Sequence, residues 1–245
     1  IMGIFLMLYV PKLLFNATQL IGDLASLVSA LFHSDAGSLK KWFLLPGLLL
    51  GLLTFVSFGM GMVRGRTNLK VFRETIKIKS LPESFDGLRI VQLSDIHLAG
   101  FYRHPGYIRK VVSRVNELES DVLCFTGDMV HNFSEEVDPF IEILNEIEAP
   151  MGKYAVLGNH DYGVYYKWDS KEEETANLDR VKAQIRASGF DLLLNEHRTI
   201  SLNGDSLEII GVENWGKPPF PQHGELHKAM CGMDSNHISI LLSHD

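Results

Sequence analysis

Cysteine is scarce, with two thiols, Cys124 and Cys231, in 245 residues. Two such positions cannot make a disulfide framework, and Cys124, inside an apolar run, reads as a small buried hydrophobe. Clustered positive charge is also missing. The chain carries 23 Lys and Arg against 30 Asp and Glu, and this acidic balance argues against a broad grip on nucleic acid, which needs Lys and Arg facing phosphates. No nucleic-acid partner is expected. No internal repeat of fixed period appears, and 46% hydrophobic with 22% charged residues excludes a disordered chain.

From Trp42 to Val63 charge is absent altogether. At about 1.5 Å per residue that segment reaches roughly 33 Å, enough for a hydrocarbon core. Lys40 and Lys41 precede it and Arg64 and Arg66 follow it, where membrane interfaces would lie. Leu13 to Phe32 is different, because Asn16, Gln19, Asp23, Ser26 and Ser29 recur at helical spacing and line one stripe of an otherwise apolar helix. Such a helix either lies in the membrane interface with its stripe to solvent or spans with Asp23 turned into a bundle. Ile1–Val10 is apolar but too short to span, and reads as the tail of a further membrane helix upstream. Residues 1–63 thus form membrane-anchoring helices and the protein is expected to be an integral membrane protein of a bacterial cell membrane. Six basic residues against Glu74 between Arg64 and Lys79 lean that end toward the cytoplasm. This basic linker, 64–79, is expected to enter a first strand through the alternation Ile76, Lys77, Ile78, Lys79.

The rest of the chain is acidic. Residues 1–63 hold three basic and two acidic side chains, residues 64–245 hold 20 and 28. Within 64–245 a single pattern recurs four times, an apolar strand-like run closed by polar residues. Leu88–Ser94 runs into Asp95, Asp121–Thr126 into Gly127 and Asp128, Tyr154–Leu157 into Gly158-Asn159-His160-Asp161, and His237–Leu242 into Ser243-His244-Asp245. Helical patterns lie near Tyr107–Leu118, Val137–Ile147 and Lys171–Ala187, so strands alternate with helices as in a layered α/β fold. In such folds the carboxyl ends of neighbouring strands converge on a crevice. Arg198–Leu202 and Leu207–Val212, joined through Asn203-Gly204-Asp205, read as a hairpin of a second sheet.

Collected at those strand ends, Asp95, His97, Asp128, Asn159 and His244 offer carboxylate, amide and imidazole donors, a set suited to Mn, Fe or Zn. Asp95 and His97, two apart on an extended segment, would project to one side and reach one ion. A carboxylate such as Asp128 can bridge two cations, and two divalent metal ions together suit in-line displacement at phosphorus.

These residues, in this order and spacing over 88–245, resemble the calcineurin-like metallophosphoesterase family. The preceding helices resemble those of its membrane-anchored bacterial branch. The resemblance implies a four-layer α/β/β/α sandwich over 80–245 with two ions: Asp95 and His97 on the first, Asp128 bridging, Asn159 and His244 on the second. It also implies that His160 faces the substrate, with Asp161 the candidate to orient it, because His131 stands where some members place an orienting Asp. The family's Gly-His-x-His segment does not occur up to Asp245, and is expected to follow it; His223 or His227 are the local substitutes. Trp215 and Phe220, in the loop after Val212, lie either near the site or at the edge of the core. His33, His104, His197, His223, His227 and His237 read as ordinary surface or core residues.

The function expected is metal-dependent hydrolysis of a phosphate mono- or diester at a membrane, with a lipid-linked phosphoester as the attractive substrate. Two other classes fit less of the sequence. One is a catalytically silent domain binding a phosphorylated headgroup or protein partner, and the other is a scaffold or transporter regulated by its soluble domain.

Overall fold

The computed structural model describes residues 2–32, 36–65, 68–218, 220 and 222–244. Of the residues named from the sequence, Ile1, His33, Arg66 and Asp245 lie outside this set, and so do the side chains of Val63 and Arg64. The chain divides into two compact units, Ile1–Arg73 and Glu74–Asp245.

The first unit is a pair of helices, α1 (Met2–Leu31) and α2 (Ala36–Arg64). Here the structure differs from the sequence reading: the described parts of Ile1–Val10 and Leu13–Phe32 are not separate segments, because α1 runs unbroken from Met2 to Leu31 with Pro11 inside it. Each helix contains a stretch long and apolar enough to cross a membrane, Gly3–Leu31 and Leu39–Met62. The two run antiparallel, since Gly3 lies against Met62, Thr18 against Gly47 and Gly22 against Phe43. Two residues of the polar stripe of α1 engage its neighbour. Gln19 Nε2 donates to the Phe43 carbonyl at 3.0 Å, and Asp23 pairs with Lys40 at 2.8 Å. Gly47 permits the contact, because a Cβ there would come within 2.2 Å of Thr18 Oγ1.

In the second unit β1 (Ile90–Leu93), β2 (Val122–Phe125), β3 (Lys153–Ala155) and β4 (Asp191–Leu192) form a parallel sheet in sequential order. Helices α3 (Pro105–Asn116), α4 (Ile141–Asn145) and α5 (Lys171–Ala187) are the crossovers. Right-handed crossovers moving steadily in one direction put all three on one face. Pro139 accounts for the shortness of α4: a 3-10 turn, Asp138–Phe140, replaces the start of the expected helix. Ser170 caps α5 by accepting from the Glu173 N–H.

The second sheet holds β5 (Glu196–Leu202), β6 (Asp205–Gly211) and β7 (Ile238–Leu242), with β5 antiparallel and β7 parallel to β6. Asn203 and Gly204 turn the hairpin with φ of 54° and 92°. Between the sheets lie Phe85, Val122, Cys124, Tyr154, Val156, Leu193, Ile200, Leu207, Ile209 and Leu242. Burial pushes the Cys124 thiol up to about 12, so it is an inert packing group. On the outer face of the second sheet Ile210 and Val212 pack with Ala229 of α6 (Leu226–Ala229). The layers therefore run α/β/β/α, with the last layer supplied among the described residues by α6.

The strand expected at Ile76–Lys79 does not form. Residues 68–78 carry no regular structure, and Phe72 and Ile76 are exposed. Alternation alone does not make a strand, which needs a partner for its backbone groups.

Candidate metal centre

Strands β1, β2 and β3 are parallel neighbours, so Asp95, Asp128 and Asn159 leave the same edge of the first sheet. The fourth donor comes from the other sheet. Beyond β7, His244 reaches across, with its Nδ1 2.7 Å from the Thr126 carbonyl. The loops after β1 and β2 remain zipped past the strand ends, as the Asp95, His97 and Leu98 N–H groups donate to the carbonyls of Gly127, Asp128 and Met129.

Close approach sets the glycines of the motifs. A Cβ on Gly127 would fall 2.4 Å from Gly158 N, and one on Gly158 would fall 2.2 Å from Asp128 Oδ1. Asp95, His97 and Asp128 adopt φ of 55°, 49° and 61°. The pair Asp95 and His97 is therefore not on an extended segment, as the spacing suggested. Both residues sit in left-handed conformations, which non-glycine residues hold only where the surroundings enforce them.

The enforcement is visible around Asp128. Six consecutive N–H groups, Asp128 to Phe133, point at two buried carboxylates. Asp161 accepts from Asp128, Met129 and Val130 at 2.9–3.1 Å, and also from Gly158 at 2.9 Å. Glu136 accepts from His131, Asn132 and Phe133 at 2.6–3.1 Å. Full burial raises the Asp161 carboxyl, to about 6, against the opposing pull of its N–H donors. With both oxygens committed to backbone, Asp161 is not the catalytic partner of His160 that the sequence suggested. It shapes the loop that presents Asp128. The ring of His160 is held instead by the His131 carbonyl, 2.9 Å from Nδ1.

Acceptor atoms converge on one small volume. Asp128 is buried; its Oδ1 takes the His160 N–H, which leaves Oδ2 3.5 Å from His97 Nε2 and 3.6 Å from His244 Nε2. Donors bonded to one ion at about 2.0–2.2 Å stand roughly 3.0–3.5 Å apart, so these separations suit shared coordination. The imidazoles are oriented for it. Carbonyls accept only, so the contacts of His97 Nδ1 with Val130 O, His160 Nδ1 with His131 O and His244 Nδ1 with Thr126 O place the protons on Nδ1. In the neutral rings of His97 and His244, Nε2 then offers a lone pair. His244 Nε2 lies 3.0 Å from Asn159 Oδ1, a spacing that two ligands of one cation also have. The carboxylate, amide and imidazole donors present fit a divalent metal of the Mn, Fe or Zn kind.

Potential ligand atoms form two groups, each with its atoms within 4.8 Å of one another: Asp95, Asp128 and His244 in one, His97, His131 and His160 in the other. Every residue singled out from the sequence as a ligand is thus brought to this edge. His131 joins them, its pKa lowered by burial and by His97. His223 does not; it stacks on Tyr162 at 4.9 Å, and neither it nor His227 enters a ligand group among the described residues. Tyr165 was not foreseen. Its ring stacks on His160, centroids 4.3 Å apart, and its hydroxyl accepts from Asn159 Nδ2. The available signal was the aromatic run Tyr162, Tyr165, Tyr166, Trp168 directly after Gly158–Asp161. Phe220 approaches Tyr165 at 6.3 Å, which puts the loop after β6 beside the site.

Comparisons with known proteins agree with this geometry. An uncharacterized metallophosphoesterase, YkuE of Bacillus subtilis, is 30% identical over 72% of this chain and 57% of its own. UDP-2,3-diacylglucosamine pyrophosphatase LpxG of Chlamydia trachomatis is 39% identical over 68% and 60%. A transmembrane protein with metallophosphoesterase domain from Danio rerio is 30% identical over 79% and 43%. The chain spans less than two thirds of the length of each of these relatives. The calcineurin-like phosphoesterase profile matches residues 88–245, the region that builds both sheets and carries all the converging donors, and the chain belongs to that family.

Proposed function

We propose that this chain is a membrane-anchored hydrolase of phosphate esters working with two divalent cations. The observation that carries the reading is Asp128 Oδ2, set between Nε2 of His97 and Nε2 of His244 at 3.5 and 3.6 Å. In this reading Asp95 and His97 hold one ion, Asn159 and His244 the other, and Asp128 both. Such a pair supplies positive charge where the negative charge of the phosphoryl group accumulates. His160, pinned through Nδ1, keeps Nε2 for the substrate; with both ring nitrogens protonated it gives the Nε2 proton to the departing alcohol.

An amphipathic, lipid-linked phosphoester is the substrate class we favour. Val164, Tyr165, Tyr166, Trp215 and Phe220 are all exposed, on the two loops that meet where Tyr165 covers His160. Apolar side chains left open beside a polar centre suit a substrate with both characters. The two apolar helices and the diacylated substrate in the name of LpxG support the same choice. The basic residues of 64–79 support a cytoplasmic position for the catalytic domain.

The test uses the full chain in detergent. With Mn²⁺ it should bind close to two ions, hydrolyse an aryl phosphoester, lose this with chelator, and turn over an acylated phosphoester more efficiently than its deacylated counterpart. Outer contacts to metal ligands typically contribute about 10–100-fold, so Asp128→Asn should lower turnover by more than about 100-fold. Unchanged turnover in that variant would reject the mechanism. Specific binding of phosphorylated headgroups without turnover would favour the silent domain.

A further inference from the structure

We infer that Tyr165 is a positioning residue of the metal centre, setting the Asn159 carboxamide and the His160 ring together. The inference rests on the two-metal reading above. Rotation about the last side-chain bond of asparagine is broad and nearly two-fold, so a lone Asn at a strand end offers its oxygen or its nitrogen with little preference. If the nitrogen faced inward it would donate to His244 Nε2 and close the site to a cation. In the structure the Asn159 nitrogen is engaged outward by the Tyr165 hydroxyl, and Oδ1 faces His244 Nε2 at 3.0 Å. The same ring lies over His160, 4.3 Å between centroids and 30° between planes. With the His131 carbonyl at Nδ1, this fixes both the direction and the tilt of the imidazole.

The loop is built to put the tyrosine there. Gly163, at φ 70°, reverses the chain after His160, and a Cβ on it would come within 3.1–3.2 Å of Asn132 O, Trp168 Cζ2 and Asn177 Nδ2. The Tyr166 N–H donates to the Gly163 carbonyl, which also accepts from Trp168 Nε1 at 2.8 Å. The turn is thus closed from both ends around Tyr165, whose own side chain is 46% exposed and adds little to the core.

Calorimetric titration of the full chain with Mn²⁺ tests this. Tyr165→Phe keeps the stack and loses the hydroxyl. It should weaken one of the two Mn²⁺ equilibria about tenfold, leave the metal-free melting temperature unchanged, and recover wild-type kcat at saturating Mn²⁺. Tyr165→Leu, which also loses the stack, should keep a lowered kcat even at saturating metal. Mn²⁺ affinity in Tyr165→Phe equal to wild type would overturn the inference alone, as would a lower melting temperature without loss of affinity. Failure of the wild type to bind Mn²⁺ would overturn the two-metal reading and this inference with it.

Discussion

Asp161 is fully buried, yet among the described residues it accepts four backbone N–H groups and no side-chain donor. A buried carboxylate so committed is a structural anion. Its partners are the amides that hold Asp128 at its left-handed φ and Gly158 against it. Asp161→Asn keeps the volume but turns an NH₂ toward N–H donors, leaving groups unpaired on both sides. Loss of such bonds to a charged acceptor costs about 2–4 kcal/mol, so the thermal midpoint should fall and Mn²⁺ affinity should fall with it. A variant that melts like the wild type would show that the loop holds its shape without the carboxylate. The sequence pointed at Asp161 through its place beside His160. It did not show which way the side chain turns, because that depends on amides more than thirty residues earlier in the chain.

Among the strands and loops, the site is made by strand ends meeting, and glycine sets how close they come. Gly158→Ala would put a Cβ 2.2 Å from Asp128 Oδ1 and 2.5 Å from its N, so one loop must move. Overpacking of this kind costs about 1–3 kcal/mol, and the displaced carboxylate should lose Mn²⁺ affinity. Gly204→Ala is the contrasting case. Its φ of 92° opposes a side chain, but the space around it is open, so it should cost about 1–2 kcal/mol and leave Mn²⁺ binding intact. Equal metal affinity in both variants would separate the Gly158 contact from the site. The strand runs and α5 were legible because apolar and helical patterning is a local signal. The alternation at Ile76–Lys79 misled because a strand depends on a distant partner. The separation of Ile1–Val10 from Leu13–Phe32 misled differently: α1 (Met2–Leu31) continues through Pro11, at the cost of one missing backbone donor.

Over the full length of the chain, the acidic domain and the apolar helices call for different solvents. Only 6% and 11% of the two candidate spans is buried within the protein. A leucine left in water forgoes about 1.5–3 kcal/mol, and two helices this apolar and this exposed suggest association with a membrane. Because α1 and α2 are antiparallel, the Gly3 and Met62 ends share one side, which the proposal above places in the cytoplasm. The two cysteines permit a direct test. Cys231 is exposed, whereas Cys124 is buried with its thiol raised to about 12, so a thiolate-selective reagent reads Cys231 in the folded chain. Membranes washed at alkaline pH should retain the protein. A membrane-impermeant maleimide should label it only after the cells are permeabilised, and Cys231→Ser should abolish the label. Labelling in intact cells would place the catalytic domain outside, where an extracellular or periplasmic phosphoester would have to replace a cytoplasmic one as substrate.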